Sequence, residues 1–155
     1  INDREDFRNR LVIDIVGDLQ SDEGTAMKSL ARYGLAGTAR HPYEHLSGGQ
    51  KARLEILYIE LEGHNLLVLD EPTDNLDIDA TEELEAALDA FEGTVVAVSH
   101  DRQFLSRFDS FLLVDHAGST FWLTEYDDAI AVLNEPSGLA NSRIARPLSN
   151  ATVTG

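Results

Sequence analysis

The stretch Leu66-Leu67-Val68-Leu69-Asp70-Glu71-Pro72 constrains this chain more than any other. Four consecutive apolar residues predict a fully buried strand, and a buried strand that ends on two carboxylates must deliver their charge to a compensating partner. A divalent cation is the natural partner. In nucleotide hydrolases a strand-end Asp orders Mg²⁺ against the terminal phosphates, while a neighbouring carboxylate polarises the attacking water. On this pattern Asp70 holds the metal and Glu71 the water.

Complementary chemistry stands upstream. Ser47 is placed to cap a helix beginning at Gly48, whose first N–H groups stay unpaired at a positive dipole end, and such an end binds anions. Gly48 and Gly49 each cost about 1 kcal/mol of helix propensity, yet they remove side chains that would hold a phosphate off the backbone. Alone, the residues also describe an ordinary Ser-capped helix with flexible glycines; beside the carboxylate-ended strand the phosphate reading prevails. Ala52, Ile56, Leu57 and Ile59 alternate with Lys51, Arg53, Glu55 and Glu60, so an amphipathic helix runs to Gly63.

Downstream, Asp79 with Glu82 forms a capping-box pattern opening a helix through Leu84, Ala87, Leu88 and Phe91 to Gly93, with Glu83, Glu85, Asp89 and Glu92 as its solvated face. Thr94-Val95-Val96-Ala97-Val98 reads as a second buried strand. Strand, helix, strand in this order predicts a parallel pair with a right-handed crossover. Parallel neighbours deliver their carboxyl ends to one edge, so His100 is expected beside Glu71.

Leu46-Ser47-Gly48-Gly49-Gln50 resembles the signature motif of ATP-binding cassette (ABC) proteins, and Leu66 to Glu71 resembles their Walker B strand. Asp74-Asn75-Leu76-Asp77 is similar to their D-loop and Ser99-His100-Asp101-Arg102 to their switch-histidine segment. The four stand in the family's order. Glu71-Pro72-Thr73 with Leu76-Asp77-Ile78, and Ser99 to Arg102 followed by Phe104-Leu105, resemble the ABC-F branch more than transporter motors, although Asp74-Asn75 stands where many members have Asn-His.

The resemblance implies an α/β fold: a partial P-loop NTPase with a mostly parallel sheet, helices around it and part of the helical subdomain. Residues 1–62 would be the helical subdomain portion, 63–134 the α/β core portion, and 135–155 an extended or disordered tail. It implies ATP and Mg²⁺ as cofactors, with Asp70 as metal ligand and Glu71 and His100 as catalytic residues. Ser47, Gly48, Gly49 and Gln50 would bind the nucleotide of an opposing cassette, with Asp77 signalling across that interface. The implied partners are a second cassette, in the same chain or a dimer, and the ribosome, reached through a longer cytoplasmic parent protein. Two alternatives stay open: the motor of an ABC membrane transporter, and a non-catalytic module that docks on another cassette.

No phosphate-binding G-x-x-x-x-G-K-[ST] motif is present; Gly24-Thr25-Ala26-Met27-Lys28-Ser29 lacks the second glycine and the spacing. The chain alone is therefore expected to bind ATP weakly without turning it over, whereas a parent with an upstream phosphate loop hydrolyses it. A net charge of −16 opposes direct nucleic-acid binding, which rests on Lys and Arg displacing counterions. The absence of cysteine excludes disulfides, thiolate zinc sites and Cys nucleophiles. Neither an eighteen-residue apolar run nor a basic-then-apolar leader is encoded, so neither a membrane span nor a signal peptide is expected.

The remaining segments are quieter. His41-Pro42-Tyr43-Glu44-His45 matches the zinc-peptidase pattern H-x-x-E-H, but Pro42 interrupts a helix there and no third ligand follows, so zinc is not expected. Residues 11–16 read as a strand or a helix face, and 25–33 as a helix with Met27, Leu30, Ala31 and Tyr33 on one side and Gly34 as its stop. A short helix over 101–108 precedes a hairpin at the sheet edge, Phe111–Val114 and Thr120–Leu123, turning at 117–119, with Trp122 packed; a closing helix covers 126–133. Asn150-Ala151-Thr152 fits a glycosylation acceptor by coincidence.

Overall fold

The computed structural model describes residues 4–74, 76–114, 120–134 and 146–147. Asn75, the turn at 117–119, nearly all of the expected tail and the Asn150–Thr152 acceptor pattern lie outside them. The chain divides into two compact units, residues 1–98 and 99–155.

The first unit begins with α1 (Val12–Gly17), which resolves the ambiguity at residues 11–16: Val12, Ile13, Ile15 and Val16 are all buried in the core. Six residues make a marginal helix by themselves. It is held by tertiary bonds, since the Val12 and Ile13 N–H groups donate to the carbonyls of His41 (3.1 Å) and Ala39 (2.8 Å). Asp22 then caps α2 (Glu23–Arg32), accepting the Thr25 N–H at 2.9 Å. Its inner face is Ala26 and Leu30, continued by Tyr33 beyond the helix end, while Ala31, expected inside, is exposed. Gly34 ends the helix at φ +67°, a left-handed conformation that glycine adopts freely.

Residues 43–45 form a single 3₁₀ turn, so the H-x-x-E-H stretch offers no helix face to a metal. Its Glu44 accepts the Asn9 N–H instead. Next comes α3 (Gly48–Leu61), whose inner residues are Gly49, Ala52, Leu54, Ile56 and Leu57. Leu54 was not among the apolar positions expected there. Phe7 packs edge-on against Tyr43 (5.5 Å between centroids) and Tyr58 (4.9 Å), joining the N-terminal turn to this helix.

The strand β1 (Leu66–Asp70) and β2 (Thr94–Val98) pair in parallel, Leu66 opposite Thr94 through Asp70 opposite Val98. The connecting helix α4 (Ile78–Ala90) packs closely on α3. The expectation that both strands are fully buried is overturned: only Leu67 is buried, whereas Val68 is 71% and Val98 59% exposed. Side chains alternate between the faces of a strand, and a parallel pair is enclosed only when helices cover both. Here Leu67 and Val95 join the core with α3 and α4, and no described residue of this unit covers the opposite face of Leu66, Val68, Val96 and Val98.

The second unit holds α5 (Arg102–Leu105), β3 (Phe111–Val114), β4 (Thr120–Leu123), α6 (Tyr126–Asn134) and β5 (Arg146–Pro147). The hairpin forms as expected, but in its own antiparallel sheet, ordered β3-β4-β5, and not at the edge of β1 and β2. Phe111, Leu123 and Ala129 make its small core, flanked by Phe108 and Tyr126. Trp122 is not packed. It stands opposite Leu112, and the two are 45% and 52% exposed on the outer face of the pair.

Candidate functional site

The start of α3 is built as its sequence dictates. Ser47 Oγ accepts the Gln50 N–H at 3.1 Å, and Gln50 Oε1 accepts the Ser47 N–H at 3.0 Å, a reciprocal capping box. Buried Leu46 anchors the entry, while Ser47 and Gly48 are exposed. The preceding chain is tied to the core, with the Tyr43 N–H donating to Arg10 O at 2.9 Å. The N–H groups of Gly48 and Gly49 thus head a 14-residue helix, a positive end open to an anion.

The two glycines have different reasons to be there. A Cβ at Gly48 would meet nothing within 4 Å, so packing inside the chain does not require glycine, and the bare backbone leaves room for close approach. At Gly49 a Cβ would collide with the Glu83 side chain of α4. Glu83 was expected on a solvated face. It lies instead over the head of α3, where its carboxylate accepts from Ser47 Oγ at a long 3.5 Å and pairs with Arg53 at 3.6 Å. Glu85, expected beside it in water, is 8% exposed.

At the end of β1, Asp70 is exposed and Glu71 half-buried. Glu71 has φ +42°, a region that costs an ordinary L-residue about 1 kcal/mol or more. Its N–H donates to Val98 O at 2.8 Å, and Asp74 N–H closes a turn onto Glu71 O at 3.1 Å. The strained residue is thereby pinned where the two parallel strands end. Loop residues that follow lead into Asp77, which caps α4 by accepting the Ala80 N–H at 2.8 Å. The capping box expected at Asp79 and Glu82 is therefore displaced: Asp77 is the cap, and Asp79 lies in the first turn.

A cleft of about 650 Å³ runs through the first unit between α3, β1 and the loop after it. Gly48, Gly49 and Lys51 line one end, Asp70, Glu71 and Asp74 the other. Glu55 lines its wall, where burial pushes the carboxyl above the usual range and leaves Oε2 without a hydrogen-bond partner. Behind α3, Arg32 and Tyr33 both bond Glu60, Arg32 Nη1 also donates to Ala90 O (2.9 Å), and the Glu92 N–H donates to Glu60 (3.1 Å). This network fixes α3 against α2 and the end of α4. Burial pushes the Tyr33 phenol up, helped by the Glu60 carboxylate. Burial also raises the Glu60 carboxyl, but the bonds from Arg32, Tyr33 and the Glu92 N–H outweigh it and hold the group below its ordinary value.

His100 belongs to the second unit, two residues of chain beyond the end of β2. Its neighbours shape a tight entry into α5: the Asp101 N–H donates to Ser99 Oγ at 3.1 Å, and Asp101 Oδ1 accepts from Gln103 N (2.9 Å) and Phe104 N (3.3 Å). Asp70 and Glu71 are thus adjacent, and Ser47 to Gln50 share a unit with them.

Residues 2–74 match the family model described as ABC transporter. An antibiotic resistance protein of Mycobacteroides abscessus is 54% identical over 93 residues, 60% of this chain and 17% of that protein. ABC transporter F family member 5 of Arabidopsis thaliana is 44% identical over 92 residues, 54% of this chain and 13% of the plant protein. Over residues 2–74 the chain is similar to the ATP-binding cassettes, and the relatives it matches include a member of the F family. The ribosome protection protein VmlR of Bacillus subtilis is 41% identical over 73 residues, 47% of this chain and 13% of its own length. The matched segments of these three relatives thus span 13% to 17% of their lengths. In fold, the chain is similar to the ADP conformation of MJ1267, an ATP-binding cassette of an ABC transporter, with a TM-score of 0.64 at 16% identity, covering 87% of this chain and 63% of that one. No helix among the described residues is long and apolar enough to cross a membrane.

The donor sets fit the cofactors that the family implies. An exposed strand-end Asp beside a pinned Glu is oxygen-ligand chemistry suited to Mg²⁺. The capped head of α3, with open space at Gly48, is suited to a phosphate.

Proposed function

We propose that this cassette binds and hydrolyses Mg²⁺-ATP as part of a longer cytoplasmic protein that pairs it with a second cassette and acts at the ribosome. The single observation that carries the reading is the pinned end of β1, where Glu71, held at φ +42° by its bond to Val98 O, projects next to Asp70 into the cleft that α3 heads. Asp70 would hold the metal, which when bound neutralises phosphate charge. Glu71 would orient and polarise water, and its backbone strain keeps that carboxylate in place before substrate arrives. His100 is proposed to meet the γ-phosphate. Ser47, Gly48, Gly49 and Gln50 would bind the nucleotide of the opposing cassette, Gly48 and Gly49 through their N–H groups, and Asp77 would report across the interface through the cap of α4.

The ribosomal part of the reading draws support from a relative named as a ribosome protection protein and another named for antibiotic resistance. The domain division at residues 62 and 134 belongs to the same proposal, with 1–62 as helical subdomain and 63–134 as catalytic core.

The test is ATP turnover by the parent protein, alone and with Glu71→Gln or Asp70→Asn. Loss of turnover by about 10²-fold or more with retained ATP binding for Glu71→Gln is the expected result. Unchanged turnover would overturn the assignment. Co-sedimentation of the parent with ribosomes is expected; recovery with membranes instead would assign it to a transporter motor.

A further inference from the structure

One flank of the head of α3 is taken from within, at Gly49, while the space at Gly48 stays open. Glu83 fills the space that a side chain at Gly49 would take, its carboxylate accepts from Ser47 Oγ, and Arg53 tethers it at 3.6 Å. Arg53 is itself positioned by its bond to Tyr33 O at 3.5 Å, and a Cβ at Gly34 would press on its guanidinium at 2.8 Å. The side chains of Arg53 and Glu83 are 18% and 33% exposed, so the pair is partly withdrawn from water.

A carboxylate at a helix N-terminus satisfies the same positive end that an incoming phosphate would use, and two anions cannot share it without repulsion. We propose that Glu83 is an internal gate on this end of α3: it holds the place of the phosphate and must swing away, with Arg53 as its pivot, before a nucleotide phosphate can engage Gly48, Gly49 and Gln50. Gly49 is then glycine to admit the gate, and Gly48 to admit the ligand. The inference rests on the proposed function only in taking the head of α3 as the phosphate contact.

The experiment is a titration of the full chain with inorganic phosphate and, separately, with Mg²⁺-ATP, following the backbone amide resonances of Gly48, Gly49 and Gln50 and the side-chain carboxyl resonance of Glu83. Wild type is compared with Glu83→Gln, Glu83→Ala and Glu82→Gln; the last removes the same charge from a neighbouring exposed residue. The gate predicts at least about threefold tighter anion binding for both Glu83 variants, little change for Glu82→Gln, and in wild type a Glu83 carboxyl shift that moves in step with the Gly49 amide. Equal affinities with responsive amides, or equal gains for Glu82→Gln and Glu83→Gln, overturn the gate and leave the phosphate contact standing. Amides that respond in no variant overturn the phosphate contact itself. If the Glu83 variants fail to fold, the wild-type carboxyl shift decides: a still carboxyl beside a moving Gly49 amide overturns the proposal.

Discussion

Adjacent glycines at the start of α3 give the sharpest residue-level contrast in the molecule. Gly48→Ala adds a methyl in open space on a helical residue and is expected to stabilise the fold by about 0.5–1 kcal/mol. Gly49→Ala drives the same methyl into Glu83 and is expected to cost about 1–3 kcal/mol. Thermal melts of the two variants check the pair, and melts of equal sign would contradict the packing described. Glu55 offers a second residue-level test. Its raised carboxyl means the charged form is penalised in the folded state, so folding is weakened above the ordinary carboxylate range and recovers as pH falls through it. Glu55→Gln should therefore stabilise the chain near neutral pH by up to about 1 kcal/mol, with the advantage shrinking as pH falls toward about 4.3 and gone below it in denaturant melts.

Element by element, what the sequence encodes locally appears where it was expected, and what depends on a neighbour does not. Ser47 and Gln50 sit three apart, a reciprocal cap written in consecutive residues, and α3 starts at Gly48 accordingly. The start of α4 was misread because two acidic residues compete: Asp77 and Asp79 both satisfy the cap pattern, and the turn closed by Asp74 and Leu76 hands the extended φ to Asp77. Glu83 and Glu85 fell on a face that only the close packing of α3 on α4 turns inward, which no charge pattern in one helix discloses. Glu60 was likewise an ordinary helix carboxylate until Arg32 and Tyr33 met it from α2. Because its folded carboxyl lies low, the stability it contributes is complete above about pH 4.3 and is lost as pH falls through its lower folded value. Glu60→Gln is expected to cost about 1–3 kcal/mol near neutral pH, a loss that shrinks in acid, measured by urea melts over a pH series. A loss independent of pH would assign the effect to packing alone.

Across the whole molecule, the strand residues were legible as strands and illegible as to which face is covered. A run such as Leu66 to Leu69 is apolar on both sides, which announces a sheet enclosed by helices, and only the tertiary structure shows Val68 and Val96 uncovered. Those side chains lie on the face opposite α3 and α4, and together they forgo roughly 1.5–3 kcal/mol of burial. The expected outcome is self-association opposed by the net charge of −16, so that light scattering detects larger species as salt is raised. Val68→Thr with Val96→Thr should return the chain to monomer at the same salt; unchanged scattering would place the sticky surface elsewhere.

The bond from Glu71 N–H to Val98 O continues the ladder one step past the last paired residues of β1 and β2. A proton at that amide should therefore be slow to trade with solvent deuterium, although the side chain it carries faces the cleft. The amide becomes a built-in reporter: any event that reorients this carboxylate through its backbone must break the bond, and would register there as a sudden quickening of exchange.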